Sequence, residues 1–118
     1  MKQPVKGRQR LRIFERDDWT CQYCGTRIFG REEATIDHSI PSSLGGSHDD
    51  ENLRPACRPG NATKGQRSEQ WLRLFYALGQ TKYADVITLE QYHRLQGIGA
   101  KLDGLPDVQF FYEKKLST

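Results

Sequence analysis

Residues 37–64 read DHSIPSSLGGSHDDENLRPACRPGNATK, and this stretch decides the fold. It joins an adjacent acid and imidazole, Asp37 and His38, to Asn52 in mid-stretch and to Asn61 and Lys64 near its end. A carboxylate and an amide oxygen are hard donors, suited to Mg²⁺ or Mn²⁺ rather than to a soft-ligand ion. A neighbouring imidazole can take a proton near neutral pH. Cation, base and ammonium together are what hydrolysis of a phosphodiester needs.

The same stretch implies its local structure. Residues 34–41 read as a strand, because Thr35 and Ile36 are β-branched and Pro41 ends the run. Regular alternation puts Ile36, His38 and Ile40 on one face and Thr35, Asp37 and Ser39 on the other. Residues 42–46 form a turn or loop, with a second short strand within or after it. Pro59-Gly60 signals a turn, and residues 61–64 start a helical turn with Asn61 and Lys64 on one side. The expected order is strand, long loop, short strand, helix, gripping one ion.

Upstream lies Trp19-Thr20-Cys21-Gln22-Tyr23-Cys24-Gly25. Two cysteines separated by two residues and followed by Gly form a turn whose backbone N–H groups can point at thiolates, and Gly25 supplies the positive φ such a turn needs. Half of a zinc site, a redox pair and two buried thiols are the alternatives. A redox pair would open a helix inside a βαβ unit, whereas this one precedes a polar turn at residues 29–33, which favours zinc. A second half-site would place ligands at positions 57 and 60. Cys57 is there, but position 60 is Gly, which cannot ligate. His48, His93 or a water are the candidates for the fourth ligand.

The first eight residues read as a basic arm, since Pro4 and Gly7 break a helix. Residues 8–17 fit a short helix, with Leu11, Ile13 and Phe14 inward and Arg10, Arg12 and Arg16 towards solvent or DNA. Charge is patterned along the chain. Residues 1–16 carry six basic groups against one acid, residues 17–53 two against eight, and residues 54–73 five against one. Two basic segments flanking an acidic one suit a surface that holds phosphates around a cation.

Beyond the core, residues 68–78 read as a helix capped by Ser68, with Trp71, Leu72, Phe75 and Leu78 on its apolar face and Tyr76 outside it. Residues 88–91 carry a capping-box signature that opens a helix to about Leu102. Residues 108–113 are β-prone and form either an added strand or a segment packed on the helices. The chain of 118 residues, 36 % hydrophobic and 28 % charged, suits one domain with two small clusters rather than one deep core. No apolar run approaches the ~20 residues of a membrane helix, and the N-terminus lacks the apolar region of a signal peptide. Three cysteines argue against a disulfide scaffold, and the cytoplasm is the expected location.

Taken together, RLRIFERDDWTCQYCG at residues 10–25, IDHSIPSSLGGSHDDENL at 36–53 and ACRPGNATKG at 56–65 resemble an HNH endonuclease with a zinc-bound ββα-metal core. The resemblance covers residues 8–67 and leaves 68–118 unmatched. It implies an α+β fold with a ββα core at residues 1–67, an N-terminal helix and a zinc-knuckle turn; residues 68–118, by their own caps and periodicity, read as a helical extension packed on that core as one compact unit. It implies that Asp37 and Asn61 bind one catalytic Mg²⁺ or Mn²⁺, that His38 is the general base, and that Asn52 holds the loop and orients His38. It implies phosphate contacts at Lys64 and Arg67, beside the basic helix of Arg8, Arg10, Arg12 and Arg16. A structural zinc would be held by Cys21, Cys24, Cys57 and a fourth cysteine, at whose place this chain has Gly60.

The first functional reading is therefore a DNA endonuclease or nicking enzyme of a phage, mobile or defence element. The alternative is a DNA-binding module of the same descent without catalysis. An RNA-directed nuclease is a third, but no aromatic-rich sheet motif supports it.

Overall fold

The computed structural model describes residues 4–28, 30 and 33–116, except for the side chain of Leu116. Lys2 of the basic arm, and Phe29, Arg31 and Glu32 of the expected polar turn, lie outside the described residues. The elements in chain order are α1 (Gly7–Arg16), β1 (Ala34–His38), β2 (Leu53–Cys57), α2 (Arg58–Lys64), α3 (Glu69–Gly79), α4 (Leu89–Gly97) and α5 (Phe111–Leu116), with two short 3₁₀ turns, Ser42–Leu44 and Asp50–Asn52, between the strands.

The two strands pair antiparallel, with Asp37 opposite Arg54 and His38 opposite Leu53. β1 ends at His38 rather than at Pro41, so Ile40 leaves the sheet and is half-exposed. Helix α2 follows β2 without a connection. Cys57 is its N-cap, and its sulfur accepts the Gly60 N–H at 3.4 Å. Pro59 falls in the first turn, where a missing N–H costs nothing. Pro59-Gly60 is thus the opening of a helix and not the turn its residue types suggested. The result is a mixed helix-and-strand fold whose centre is a ββα unit.

Two hydrophobic clusters support it. The first joins Ile13 and Phe14 of α1, Ile36 and Leu53 of the hairpin, Leu72 of α3 and Phe110 near the C-terminus. The second is smaller and gathers Leu78, Leu89 and Tyr92. Full burial of one such side chain contributes about 1.5–3 kcal/mol. On α3, Leu72 and Leu78 are buried as the periodicity requires, whereas Phe75 is 41 % exposed and stacks on Trp71.

Two C-terminal expectations change. Helix α4 has its capping box at Thr88 and Gln91 but ends at Gly97, not near Leu102. Gly99 then turns the chain at φ +89°. Residues 108–113 make no strand. Phe110 is buried, and the Phe111 and Tyr112 N–H groups donate to the carbonyls of Tyr23 and Gln22, each at 3.0 Å. The Glu113 carboxylate reaches back to the Phe110 N–H at 2.8 Å. That bond caps α5 and starts a helix where β-propensity suggested a strand. The aromatic run is a segment packed on the cysteine turn.

Candidate active site and cysteine cluster

Strand and helix spacings meet at Asp37. Thr35 and Asp37 share one face of β1, and Asn61 and Lys64 share one side of α2. The Asn61 amide donates to the Thr35 hydroxyl at 3.0 Å. One turn on, the Lys64 ammonium lies 2.9 Å from Asp37 Oδ2, with both side chains fully buried. The same ammonium donates to the His38 carbonyl at 3.0 Å. The Tyr23 hydroxyl also donates to Asp37 Oδ2, at 2.7 Å. A buried carboxylate needs this company, since an uncompensated charge costs several kcal/mol.

Lys64 is therefore not a surface phosphate contact. Its long side chain turns inward because a buried carboxylate lies beneath it. Several arginines expected at DNA are likewise engaged with the protein. Arg10 donates to the Ala34 carbonyl at 2.8 Å, and Arg16 to the carbonyls of Leu53 and Asp50 at 2.6 and 2.9 Å. Arg12 makes a two-pronged pair with Asp50 at 2.7 and 2.9 Å. Gln9 reaches the His48 carbonyl at 2.9 Å. The polar side of α1 thus braces the loop before β2. Arg8 and Arg67 are exposed, Arg67 lying over the Trp71 ring at 4.2 Å.

His38 is 2 % exposed. Its Nε2 lies 3.1 Å from Nδ1 of His48, a residue the sequence suggested only as a zinc ligand. Asn52 closes the loop that carries His48. Its amide oxygen accepts the Ile40 N–H at 2.8 Å, and its Nδ2 donates to the carbonyls of Ile40 and Ser47 at 3.0 and 2.7 Å. Gly46 permits this closure. A Cβ there would lie 1.6 Å from the Ile40 oxygen, so a side chain is excluded.

Behind Asp37 stands a polar hub that residue types did not reveal. The Glu69 carboxylate accepts from Ser39 at 2.7 Å, Arg54 Nε at 2.6 Å, Tyr112 at 2.7 Å and Tyr23 at 3.1 Å. Burial alone would raise its pKa, but the bonds from Tyr112 and Ser39 and the Arg54 guanidinium hold it below the usual carboxylate range. Tyr23 bridges Asp37 and Glu69, and burial first, then both carboxylates, push its phenol upward. Helices α3 and α5 are thereby tied into the site. Arg58, also unmarked in the sequence reading, shares an open groove of about 310 Å³ with Thr35 and Asn61. Its place in the basic segment after β2 was the one available signal.

The cysteines gather as their spacing implied. The sulfurs of Cys21, Cys24 and Cys57 all lie within 4.8 Å of one another. Gly25 has φ +82°, as the turn requires. The Cys24 N–H points at the Cys21 sulfur at 3.5 Å, and Cys24 Sγ lies 3.2 Å from the Thr26 hydroxyl. The hydrogen bond from Cys21 holds the Cys24 thiol down, to about 5, and the same bond together with burial pushes Cys21 up. Three soft thiolates suit zinc. Neither histidine offered as the fourth ligand joins them: His48 lies against His38, and His93 is exposed on α4 against Tyr92. Among the described residues, no other His, Cys, Asp or Glu completes the group.

The family model of HNH endonuclease matches residues 21–67, a segment that holds both strands, α2 and all three cysteines. The β1–β2–α2 unit inside that segment has the strand–strand–helix order of an HNH ββα core, and the segment is similar to HNH endonucleases, a family of nuclease-type hydrolases that use divalent metals and act on DNA. No curated protein matches the chain. No helix among the described residues is long and apolar enough to cross a membrane.

Proposed function

We propose that the protein is a metal-dependent DNA endonuclease or nicking enzyme in which His38 is the general base, leaving 5′-phosphate and 3′-hydroxyl ends. One observation carries the reading: Asp37, His38 and Asn61 occupy neighbouring positions of β1 and α2 inside the segment matched to HNH endonucleases. Asp37 and Asn61 offer a carboxylate and an amide oxygen, the donors that one Mg²⁺ or Mn²⁺ takes. When bound there, such an ion supplies positive charge against the charge that builds on the phosphate.

The chain's own residues do the rest. Lys64 holds the Asp37 carboxylate in the free protein, so opening of that ion pair is the movement the reading requires. His38 accepts the proton of the attacking water at Nε2. His48 faces that nitrogen at 3.1 Å, so it either yields the place to water or passes the proton on. A positioned base contributes ~10²–10⁴-fold in rate. Asn52 keeps the loop closed and so fixes both histidines. Arg8, Arg58 and Arg67 take phosphates, and binding weakens steeply with salt. Cys21, Cys24 and Cys57 hold a structural zinc.

A second reading, a DNA-binding module without catalysis, draws on the closed state of the site. Asp37 is sealed by Lys64, and His38 has almost no exposed surface. Incubation with supercoiled plasmid in Mg²⁺, Mn²⁺ or EDTA separates the two. Nicked or linear product that needs the ion supports the nuclease. Retarded plasmid with no cleavage in either ion makes it the module.

A further inference from the structure

The cysteine cluster is built from two matching turns. In the first, the N–H of Cys24 points at the sulfur of Cys21 at 3.5 Å. In the second, the N–H of Gly60 points at the sulfur of Cys57 at 3.4 Å. Positions 24 and 60 are therefore equivalent, and position 60 has no side chain. Space for one is restricted. A Cβ on Gly60 would lie 3.1 Å from Cys57 Sγ and 3.2 Å from the Tyr76 hydroxyl. So the fourth corner of the cluster faces a phenol, delivered by α3 from outside the family-matched segment.

We propose that Tyr76 completes the metal site: zinc is held by Cys21, Cys24 and Cys57, with the Tyr76 hydroxyl oxygen as fourth ligand in place of a cysteine at position 60. The inference rests on the zinc reading of the three cysteines and is independent of the nuclease reading. A further observation supports it. Tyr76 and Cys24 line one open groove of about 430 Å³, which gives an ion a path to that corner. Structural zinc takes four ligands, and oxygen donors serve beside thiolates. Entry of the ion releases thiol protons and places positive charge beside the phenol.

Gly60 and Tyr76 are then a matched pair, and the pairing makes two predictions. Tyr76→Phe keeps the ring but removes the oxygen, so zinc affinity falls by at least ~10-fold. Gly60→Cys alone crowds the Tyr76 hydroxyl, whereas Gly60→Cys with Tyr76→Phe restores a four-thiolate site. The test is Co²⁺ titration of the metal-free full chain, read by the d–d bands and the thiolate charge-transfer band, with zinc affinity from chelator competition. One ion per chain with three-thiolate intensity, d–d bands that shift in Tyr76→Phe, and higher charge-transfer intensity in the double variant are expected. An unchanged spectrum and unchanged affinity in Tyr76→Phe would overturn the role of Tyr76, leaving water as the fourth ligand. Failure of the wild-type chain to bind zinc or Co²⁺ would overturn the zinc reading and the proposal with it, and would leave the plasmid assay untouched.

Discussion

The hairpin site and the cysteine cluster are both sets of donors suited to a cation, and they are held in opposite ways. At the hairpin, the Asp37 carboxylate is fully buried and already neutralised by the Lys64 ammonium at 2.9 Å. At the cluster, the sulfurs meet backbone N–H groups, the Thr26 hydroxyl and one another. The difference follows from protonation. An ionised carboxylate is tolerated in the interior only beside a counter-ion, and here the fold provides one of its own. At the cluster a hydrogen bond from the Cys21 thiol holds Cys24 down to about 5, so a neighbouring thiol stabilises the charge that an ammonium stabilises at Asp37. An internal ammonium therefore guards the first site, and an internal phenol borders the second.

The most severe way to break the comparison is to remove the guard. Lys64→Ala leaves Asp37 buried and unpaired, and unfolding stability drops by about 3–5 kcal/mol in urea titration. A loss under 1 kcal/mol would contradict the buried ion pair. Gly46→Ala comes next, because its Cβ meets the Ile40 carbonyl. The loop that carries His48 has to open, at about 1–3 kcal/mol, and amide exchange at residues 40–52 rises. Unaltered exchange there would mean the loop is not closed as described.

A third test uses acid. Glu69 has a folded pKa below its ordinary 4.5. Its stabilisation is fully present above the unfolded value and is lost as pH falls through the folded one. The urea midpoint therefore falls below about pH 4.5, and Glu69→Gln, weaker by about 1–2 kcal/mol at neutral pH, shows a shallower acid slope. Equal slopes in the two proteins would remove Glu69 from the hub. The smallest effect is Arg12→Ala. Its pair with Asp50 is exposed and screened by solvent, so the urea midpoint hardly moves. A larger loss would mean that α1 braces the loop more firmly than an exposed pair allows.

How much of this could be read in advance depended on how local the signal was. The start of the strand at Ala34, the Ser68 cap, the capping box at Thr88 and the cysteine turn with Gly25 are written within a few residues each, and they form as expected. Lys64 was legible in its side of the helix but not in its depth, because depth depends on which charge lies under α2. Glu69 looked like an ordinary first-turn acid. Its partners Ser39, Arg54, Tyr112 and Tyr23 come from four separate segments that only the fold assembles. The gap at Gly60 was visible as a missing ligand. The hydroxyl beside it was not, because Tyr76 lies on another helix and outside that helix's apolar stripe.

The central claim is that His38 draws a proton from water at a phosphodiester held on the β1–β2–α2 core. The most direct measurement is the single-turnover cleavage rate of His38→Ala against wild type at saturating DNA and Mg²⁺, with DNA affinity measured in parallel. The expected result is a rate lower by ~10²–10⁴-fold with affinity nearly unchanged. Cleavage by His38→Ala at the wild-type rate would contradict it.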